Sequence, residues 1–436
     1  MGDRDSRPHV VMVVNNGMAN DARVIKSAAA VARAGARVTA LGVASAGAPR
    51  SETTVGGVRY VRLPAVPRRG VNPRFVRYAL ARRVAWLFPA SSWPLSLPVL
   101  RLWAREFVPA LRSLAPDVVH VHDVHLLDAV RRAFPDPATR PVVVYDAHEY
   151  VADLAVSGAR TRRAVDAWAA LERDRIGLAD RIITVAPGIA DRLRADHDLP
   201  ETPTVVYNAP LGWPDVHASR DLRTEAGVGP GVPLAVYSGA VSPARGLDTV
   251  VRALADLPEV HLAVVAVPYP HPMASELLAL AEHLGVADRL HLVPPVPSHE
   301  VPAYLAGADV AVSPIRGDSA SYDMALPNKL FEFVHAGLPI ATSDLREMSA
   351  FVRRHGLGAV FRQGDPASCA AAVRDALDVI LDQAALQRLR EEFAWQGQEE
   401  RLVEVYRSLA SRAPGLGALA VPSTPWRRED IALEFA

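Results

Sequence analysis

The stretch PLAVYSGAVSPARGLDTVVRALADLPEVHLAVVAV, residues 233–267, decides the fold of the second half of the chain. Its apolar run up to Ser238 predicts a strand, and the polar segment 239–246 that follows predicts a loop. The segment up to Leu257 has helical spacing, and a second apolar run from His261 predicts another strand. Continuous Val- and Leu-rich strands joined by a helix favour a βαβ unit of a parallel sheet.

The same plan opens the chain. An apolar strand, His9 to Val14, precedes a polar loop and the helical stretch DARVIKSAAAVARAG, with Asp21 as the expected N-cap and Gly35 just past its end. Further short β runs alternate with helical stretches in both halves. The sequence therefore predicts an α/β protein with two Rossmann-like doubly wound domains facing a central cleft at the carboxyl ends of their strands.

The length of 436 residues also argues for two domains, because one core rarely grows so large. We expect an N-terminal Rossmann-like domain over residues 1–212 and a C-terminal Rossmann-like domain over residues 213–395. A last helix and tail, residues 396–436, are expected to cross back to the N-terminal domain.

The bulk composition is that of an ordinary globular protein. Half of the residues are hydrophobic, 22% are charged and the formal net charge is zero, so no general attraction to nucleic acid is indicated. The single cysteine, Cys369, suits a reducing compartment, and neither a signal peptide nor an apolar run of about 18 residues is evident. We therefore expect a cytoplasmic protein, and the sequence leaves its oligomeric state undetermined.

The segment LPNKLFEFVHAGLP contains Lys329, and Lys26 is the chain's only other lysine. Pro327 predicts the start of a short helix, whose N-terminus carries free N–H groups and a partial positive charge. Lys329 would add a full charge there, and Glu332, one turn on, could accept hydrogen bonds from a ribose diol. Spacing alone, however, favours a simpler interpretation, namely a surface Lys–Glu pair.

The loop of residues 239–246 is a second candidate phosphate site. Its backbone N–H groups could hold a phosphate, and Arg245 could bind it through two nitrogens. The loop matches neither G-x-G-x-x-G nor a Walker loop, and an ordinary βα turn explains it equally well.

Two strand-end segments, HVHDVH and YDAHEY, contain four of the fourteen histidines: His120, His122, His125 and His148. His120 and His122 share one face of a strand and could form a metal pair, but contact with a sugar or a structural role fits the plan better. Asp123, Asp146 and Glu149 lie at the same strand ends and could accept hydrogen bonds from sugar hydroxyls. We predict no bound metal.

Residues 62–105 contain nine arginines, several aromatic residues and no Asp or Glu. The segment RFVRYALARRVAWLF is basic and amphipathic, which is typical of docking on an anionic membrane surface, here the inner face, or of binding a lipid-phosphate acceptor. An insertion whose apolar face packs on its own domain explains the pattern equally well.

Taken together, these segments resemble the family-four retaining glycosyltransferases of the GT-B fold, from about His9 to Ala410. The likeness rests on NDARVIKSAAAVARAGARVTALG, VVHVHDVHLL, VVVYDAHEY, ADRIITVAPGIADRL and VVYNAP in the first half. In the second half it rests on YSGAVSPARG, LHLVPPVPSHEVPAYLAGADVAVSP and LPNKLFEFVHAGLPIATSD.

The resemblance implies a nucleotide-diphosphate sugar as co-substrate, UDP-linked, with no cofactor. It makes residues 1–212 the acceptor domain and residues 213–395 the donor domain. It places Lys329 and Arg245 on the pyrophosphate, Glu332 on the ribose and the base near Val296, while His122 faces the transferred sugar. We expect His122, Arg245 and Lys329 to be catalytic. The expected donor-binding residues are Gly239, Arg245, Val296, Asp323, Met324, Asn328, Lys329, Leu330 and Glu332. The expected acceptor-binding residues are Asn16, Asn20, Asp123 and His148.

The implied reaction is transfer with retention, in which the leaving phosphate assists front-face attack and the protein supplies positioning and charge. Two positions depart from the family pattern. Met324 stands where a glutamate is usual, so Asp323 or the amides of residues 324–326 would have to replace it, and Ala240 stands where an arginine is frequent. These departures leave a non-transferring sugar-nucleotide-binding relative open as an alternative. A sugar-nucleotide epimerase of the same fold is a further alternative.

Overall fold

The computed structural model describes residues 7–19, 21–65, 73–156, 160–212 and 217–431. The chain divides into two compact units, one of Met1–Val206 with Gln398–Ala436 and one of Tyr207–Gly397. The first unit ends before the expected residue 212 because the Tyr207 ring packs in the second unit. Its centroid lies 5.4 Å from that of Phe331 and 5.5 Å from that of Phe393.

The first unit is built on an eight-stranded sheet in the order β3-β4-β2-β1-β5-β6-β7-β8. Its strands are β1 His9–Val13, β2 Arg37–Val43, β3 Ser51–Val55, β4 Val58–Leu63, β5 Val118–His122, β6 Val142–Ala147, β7 Arg181–Thr184 and β8 Thr204–Val205. The prediction of a parallel sheet is wrong for one pair of strands, since β3 pairs antiparallel with β4. The dipeptide Gly56-Gly57, with both φ angles positive, forms the turn between them and is a typical hairpin signal.

The helices of the first unit are α1 Ala22–Arg33, α2 Pro73–Val84, α3 Trp93–Ser96, α4 Val99–Leu114, α5 Leu127–Ala133, α6 Arg162–Arg175 and α7 Pro187–Asp196. The predicted cap of α1 is confirmed, because the Asp21 side chain accepts a 3.1 Å hydrogen bond from the Val24 N–H. None of the described helices is long and apolar enough to cross a bilayer.

The second unit is built on a six-stranded parallel sheet in the order β11-β10-β9-β12-β13-β14. Its strands are β9 Leu234–Gly239, β10 His261–Ala266, β11 Leu290–Val293, β12 Val310–Ser313, β13 Ile340–Ser343 and β14 Gly358–Phe361. Its helices are α8 Leu222–Ala226, α9 Leu247–Ala253, α10 Ala274–His283, α11 Val301–Leu305, α12 Ala320–Asp323, α13 Asn328–Ala336, α14 Arg346–Arg354, α15 Pro366–Leu377 and α16 Gln383–Glu392. A last helix, α17 Trp395–Arg407, runs from the end of this unit into the first.

The strand order of the second unit reverses between β9 and β12, and such switch points are where open α/β sheets bind ligands. The loop after β9 passes directly over the end of β12. A Cβ atom on Gly246, whose φ is +68°, would lie 2.0 Å from the carbonyl oxygen of Pro314, so only glycine allows this approach. In the first unit the corresponding reversal lies between β1 and β5.

Candidate functional site

Lys329 is buried at the start of α13, with only 8% of its surface exposed. Its ammonium nitrogen lies 4.0 Å from the ring centroid of Tyr237 on β9. Gly239 ends β9 with a φ of +126°, and a Cβ there would lie 3.3 Å from the same nitrogen. The missing side chain at Gly239 therefore leaves room for a ligand beside the ammonium group.

Arg245 brings a second cation to this end of the sheet. Its guanidinium carbon lies 5.4 Å from the ring centroid of Tyr322, in a cation–π arrangement. Within the part of the chain that the structure describes, no carboxylate forms an ion pair with Arg245 or Lys329. By contrast, Arg316 nearby is held by Asp248 at 2.6 Å.

Burial, reinforced by the neighbouring positive charge of Arg245, lowers the pKa of Lys329 from 10.5 to about 7, and the carboxylate of Glu332 opposes this shift only in part. A buried cation without a close counter-ion is unfavourable for the fold, so such a group usually serves a bound anion. Glu332 is half-buried one turn further along α13.

The other predicted donor residues fall into two groups. Asn328 is exposed at the first position of α13, and Val296 is half-buried in the loop after β11, so both stay available for a ligand. Leu330 has neither an exposed side chain nor a free N–H. It is fully buried, and its N–H donates a 3.0 Å hydrogen bond to the carbonyl of Pro327.

The expected substitutes for the missing glutamate are largely occupied. One oxygen of Asp323 accepts a 2.9 Å hydrogen bond from the Arg346 N–H at the start of α14. Met324 is buried, and its N–H donates a hydrogen bond to the carbonyl of Ala320. The N–H of Ala325 donates a hydrogen bond to the carbonyl of Tyr322. These two amides are therefore already engaged in the turn that ends α12, and replacement of the glutamate by Asp323 or by the amide of Leu326 stays a prediction.

In the first unit, polar side chains converge on the fully buried carboxylate of Asp146, at the end of β6. Arg23 donates two 2.7 Å hydrogen bonds to it, from Nε and Nη2. Nδ1 of His122 and Nε2 of His148 each lie 3.2 Å from the same oxygen, Oδ2. Burial alone would raise the pKa of Asp146, but Arg23 holds it well below its usual range.

His120 and His122 stack as expected from their shared strand face, with ring centroids 4.3 Å apart. Nδ1 of His120 lies 2.7 Å from the Tyr406 hydroxyl, and its Nε2 lies 3.7 Å from Oδ2 of Asp146. Nε2 of each ring is buried without a partner within hydrogen-bond distance among the described atoms. Burial, reinforced by His120, lowers the pKa of His122 to about 3, so this ring is neutral at pH 7.

His148 and Asp123 form the partly exposed side of the cluster, with Nδ1 and Oδ2 3.5 Å apart. Burial lowers the pKa of His148, but the carboxylates of Asp123 and Asp146 outweigh it and raise that pKa to about 9. Asp123 also has a positive φ of 61°, a strained conformation that is found mainly where function requires it.

His120, His122 and Asp146 place ligand atoms within 4.8 Å of one another, close enough to hold a metal ion. Both oxygens of Asp146 already accept hydrogen bonds from Arg23, however, and the positive charge of Arg23 opposes the binding of a metal cation. The residues therefore fit a metal poorly, and the absence of a metal remains a prediction.

Asn16 and Asn20, both in the loop after β1, are the two asparagines that the sequence predicts to bind the acceptor. Asn16 uses both ends of its amide within the loop, since Nδ2 donates to Asp21 at 2.7 Å and Oδ1 accepts from the Met18 N–H at 2.8 Å. The structure thus shows Asn16 shaping the loop. Asn20 lies outside the described residues.

Family comparisons agree with this arrangement over both units. A model of Glycosyltransferase Family 4 matches residues 22–209, and a model of Glycosyl transferases group 1 matches residues 232–379. The chain belongs to glycosyltransferase family 4. Its two α/β units are those of the GT-B fold.

A relative of this chain, a D-inositol 3-phosphate glycosyltransferase from Nocardia farcinica, is 28% identical over 66% of the chain. That match spans only 60% of the relative's own length. Among solved structures, sucrose-phosphate synthase (tll1590) from Thermosynechococcus elongatus superposes with a TM-score of 0.73 at 16% identity, over 93% of this chain and all of that one. The structure of Anabaena Alr3699/HepE in complex with UDP-glucose superposes with a TM-score of 0.62 at 14% identity. The superposition covers 92% of this chain and all of that one.

Sequence reasoning missed three residues that shape these two polar clusters, one in each unit. Arg23 anchors Asp146 across 123 positions of sequence, and no local pattern points to such a pair. In the second unit, the Tyr237 ring lies against the ammonium group of Lys329 and the Tyr322 ring against the guanidinium group of Arg245. Tyr237 stands inside the segment YSGAVSPARG, which carried the family resemblance, whereas Tyr322 lies four positions before the segment that begins at Leu326.

Proposed function

We propose that this chain is a retaining, metal-independent glycosyltransferase that moves a sugar from a nucleotide-diphosphate sugar, UDP-linked, to a saccharide, lipid-linked or natural-product acceptor. One observation carries the proposal. Lys329 and Arg245 meet at the carboxyl end of β9 without a carboxylate partner among the described residues, and Glu332 follows one turn later on the same helix.

A nucleotide diphosphate matches this set of groups. Its pyrophosphate would neutralise Lys329 and Arg245, and the free N–H groups at the start of α13 would add to the attraction. The ribose diol would donate hydrogen bonds to Glu332. The choice of UDP is supported by the similar fold of Anabaena HepE, whose structure was determined with UDP-glucose.

In the proposed reaction, the bond between the sugar's anomeric carbon and the β-phosphate oxygen breaks, and the acceptor oxygen forms its bond to that carbon on the same face. The acceptor proton passes to the departing phosphate, which leaves as part of the nucleotide diphosphate. Lys329 and Arg245 stabilise the charge that develops on this phosphate. No protein nucleophile is needed.

The first unit supplies the polar groups for the sugar and the acceptor. His122 is neutral and fully buried, and its Nε2 has no described hydrogen-bond partner, so a sugar hydroxyl would have to enter the interior of the unit to reach it, whereas His148 is only half-buried. Charged His148 and Asp123 are suited to bind hydroxyls or a phosphate of the acceptor. Because one relative is named for D-inositol 3-phosphate, phosphorylated polyols belong among the acceptors to test. The cytoplasm, at the inner face of the membrane, remains the predicted location.

The test begins with a thermal-shift panel of nucleotide sugars, since a ligand at 100 times its Kd stabilises a protein by about 2.7 kcal/mol. The best donor is then incubated with acceptors of each class, and products are identified by mass spectrometry and by the anomeric configuration in NMR. EDTA should leave the rate unchanged. Lys329→Met should weaken UDP binding roughly 10- to 100-fold, and Arg252→Met, on exposed α9 surface, should not.

Three results would count against the proposal. UDP binding without turnover of any donor by the wild type, across all acceptor classes, would indicate a binding protein. Conversion of the donor sugar with no acceptor present would indicate an epimerase. An inverted anomeric centre in the product would contradict retention.

A further inference from the structure

Helix α2, together with the helical turn Ala85–Leu87 that follows it, exposes large apolar side chains on the first unit. Five of them form what is called here the α2 apolar face: Val76 (51% exposed), Leu80 (61%), Val84 (40%), Trp86 (67%) and Leu87 (59%). At about 100° per residue, the side chains at positions 76, 80 and 84 point within roughly 80° of one another. They therefore form one continuous stripe.

Packing within the unit explains other apolar residues of segment 62–105 but not this face. Trp93 and Trp103 are only 4% and 8% exposed, and Trp103 stacks on Trp168 with ring centroids 6.3 Å apart. The interpretation that the basic segment packs on its own domain thus holds for these two residues. It fails for the α2 apolar face, which the described residues leave open to solvent.

Arginines border the stripe on both sides. By the same helical rotation, Arg83 and Arg77 stand next to Val76 and Val84, on opposite edges. Together with Arg82 they are exposed, and none of the three forms an ion pair with a described residue. Residues 62–105 contain no Asp or Glu to offset this charge.

We propose that the α2 apolar face inserts into the headgroup region of an anionic bilayer. The stripe is amphipathic and interfacial in character, because its apolar centre can enter the acyl boundary while the arginines reach lipid phosphates. Trp86 at the end of the helix suits the same boundary. Anionic lipid is favoured over a protein partner because the apolar centre is bordered by exposed arginines without ion-pair partners among the described residues, and segment 62–105 contains no Asp or Glu. Protein interfaces, by contrast, deplete charge towards their centre.

The proposal goes beyond the glycosyl-transfer function and can be tested separately. The full chain is floated with vesicles of phosphatidylcholine, with or without phosphatidylglycerol. Leu80→Gln should reduce flotation about tenfold or more by removing a large apolar side chain. Arg77→Gln and Arg83→Gln should each reduce it about fivefold. Ile380→Gln is the matched control, because Ile380 is 96% exposed on the second unit.

We expect binding to the anionic vesicles that weakens with salt, and little binding to pure phosphatidylcholine. Fluorescence of Trp86 should be quenched by brominated lipid, and Trp86→Phe should remove most of that quenching. Absence of flotation, equal flotation with both vesicles, or an unchanged Leu80→Gln variant would overturn the proposal. So would self-association in ultracentrifugation that Leu80→Gln abolishes while vesicles leave the wild type unbound.

UDP binding is measured on every variant. Equal UDP affinities with lost flotation would support the membrane proposal alone. Normal flotation of a wild type that binds no nucleotide would reject the transferase proposal and leave the membrane contact intact.

Discussion

Nucleotide binding should draw a proton from solution, because of the state of Lys329 in the free protein. Its ammonium group is buried beside Arg245, and its pKa is lowered to about 7. At pH 8 about 0.9 of the molecules would hold this lysine neutral. A bound pyrophosphate beside it favours the charged form, so binding of UDP at pH 8, where UDP is itself fully ionised, should take up about 0.9 proton.

The affinity should follow the same proton. One pKa unit corresponds to about 1.4 kcal/mol, so UDP affinity should fall about tenfold from pH 8 to pH 9 while the bound lysine stays charged. Isothermal titration calorimetry in two buffers of different ionisation enthalpy gives both quantities at once. The difference in apparent enthalpy yields the number of protons taken up.

Lys329→Met is the decisive variant, since it keeps the length of the side chain but cannot take up a proton. It should show no uptake at pH 8, a flat affinity between pH 7 and 9, and roughly 10- to 100-fold weaker binding at pH 6.5. Loss of binding should not reflect unfolding. The folded pKa lies below the unfolded value of 10.5, so the buried cation destabilises the fold most below pH 7, and the variant should gain stability there. Proton uptake that persists in Lys329→Met, or wild-type uptake near zero at pH 8, would refute this reasoning.

Further changes probe the remaining contacts. Gly239→Ala places a Cβ 3.3 Å from the ammonium nitrogen of Lys329 and should weaken UDP binding. Gly227→Ala is the control, because Gly227 also has a positive φ but a Cβ there meets open space, so this variant should lower only thermal stability. Equal UDP affinities of the two variants would contradict this contrast. Arg23→Met leaves the buried carboxylate of Asp146 without its partner and should cost about 3–5 kcal/mol, measured as a lower Tm in calorimetry at pH 7; an unchanged Tm would count against the role of this pair. The raised pKa of His148, about 9, means that its stabilising charge is complete below pH 6.5 and lost as the pH rises through 9. Tm should decline over that range, and His148→Gln should flatten the decline.

Much of the site was readable from the sequence because its residues stand at strand ends and helix starts. Gly239 and Arg245 lie in a loop that follows a strand, and Lys329 lies in a helix that begins after a proline. Both positions indicate the same edge of a parallel sheet, even before any distance between their side chains is known. The rarity of lysine was also informative. Both lysines are buried, at 6% and 8% exposure, in a chain that otherwise uses arginine.

The errors have a common cause, since each concerned a backbone group or a pairing partner. The amides of Met324 and Ala325 looked available, but α12 ends there and uses both of them. Asp323 stays a predicted contact for sugar hydroxyls, although one of its oxygens accepts a hydrogen bond from the N–H of Arg346 in α14. Composition and spacing do not reveal which hydrogen bonds a turn has already formed.

The sequence by itself determined the two doubly wound units and the location of the cation pair, because hydrophobic periodicity and turn residues act locally. Only the tertiary structure decided the chemical state of that pair. The neutral or charged condition of Lys329 depends on how completely it is buried, on the charge of Arg245 and on the absence of a close carboxylate among the described residues. These are distances between atoms far apart in the chain, which the order of residues does not specify.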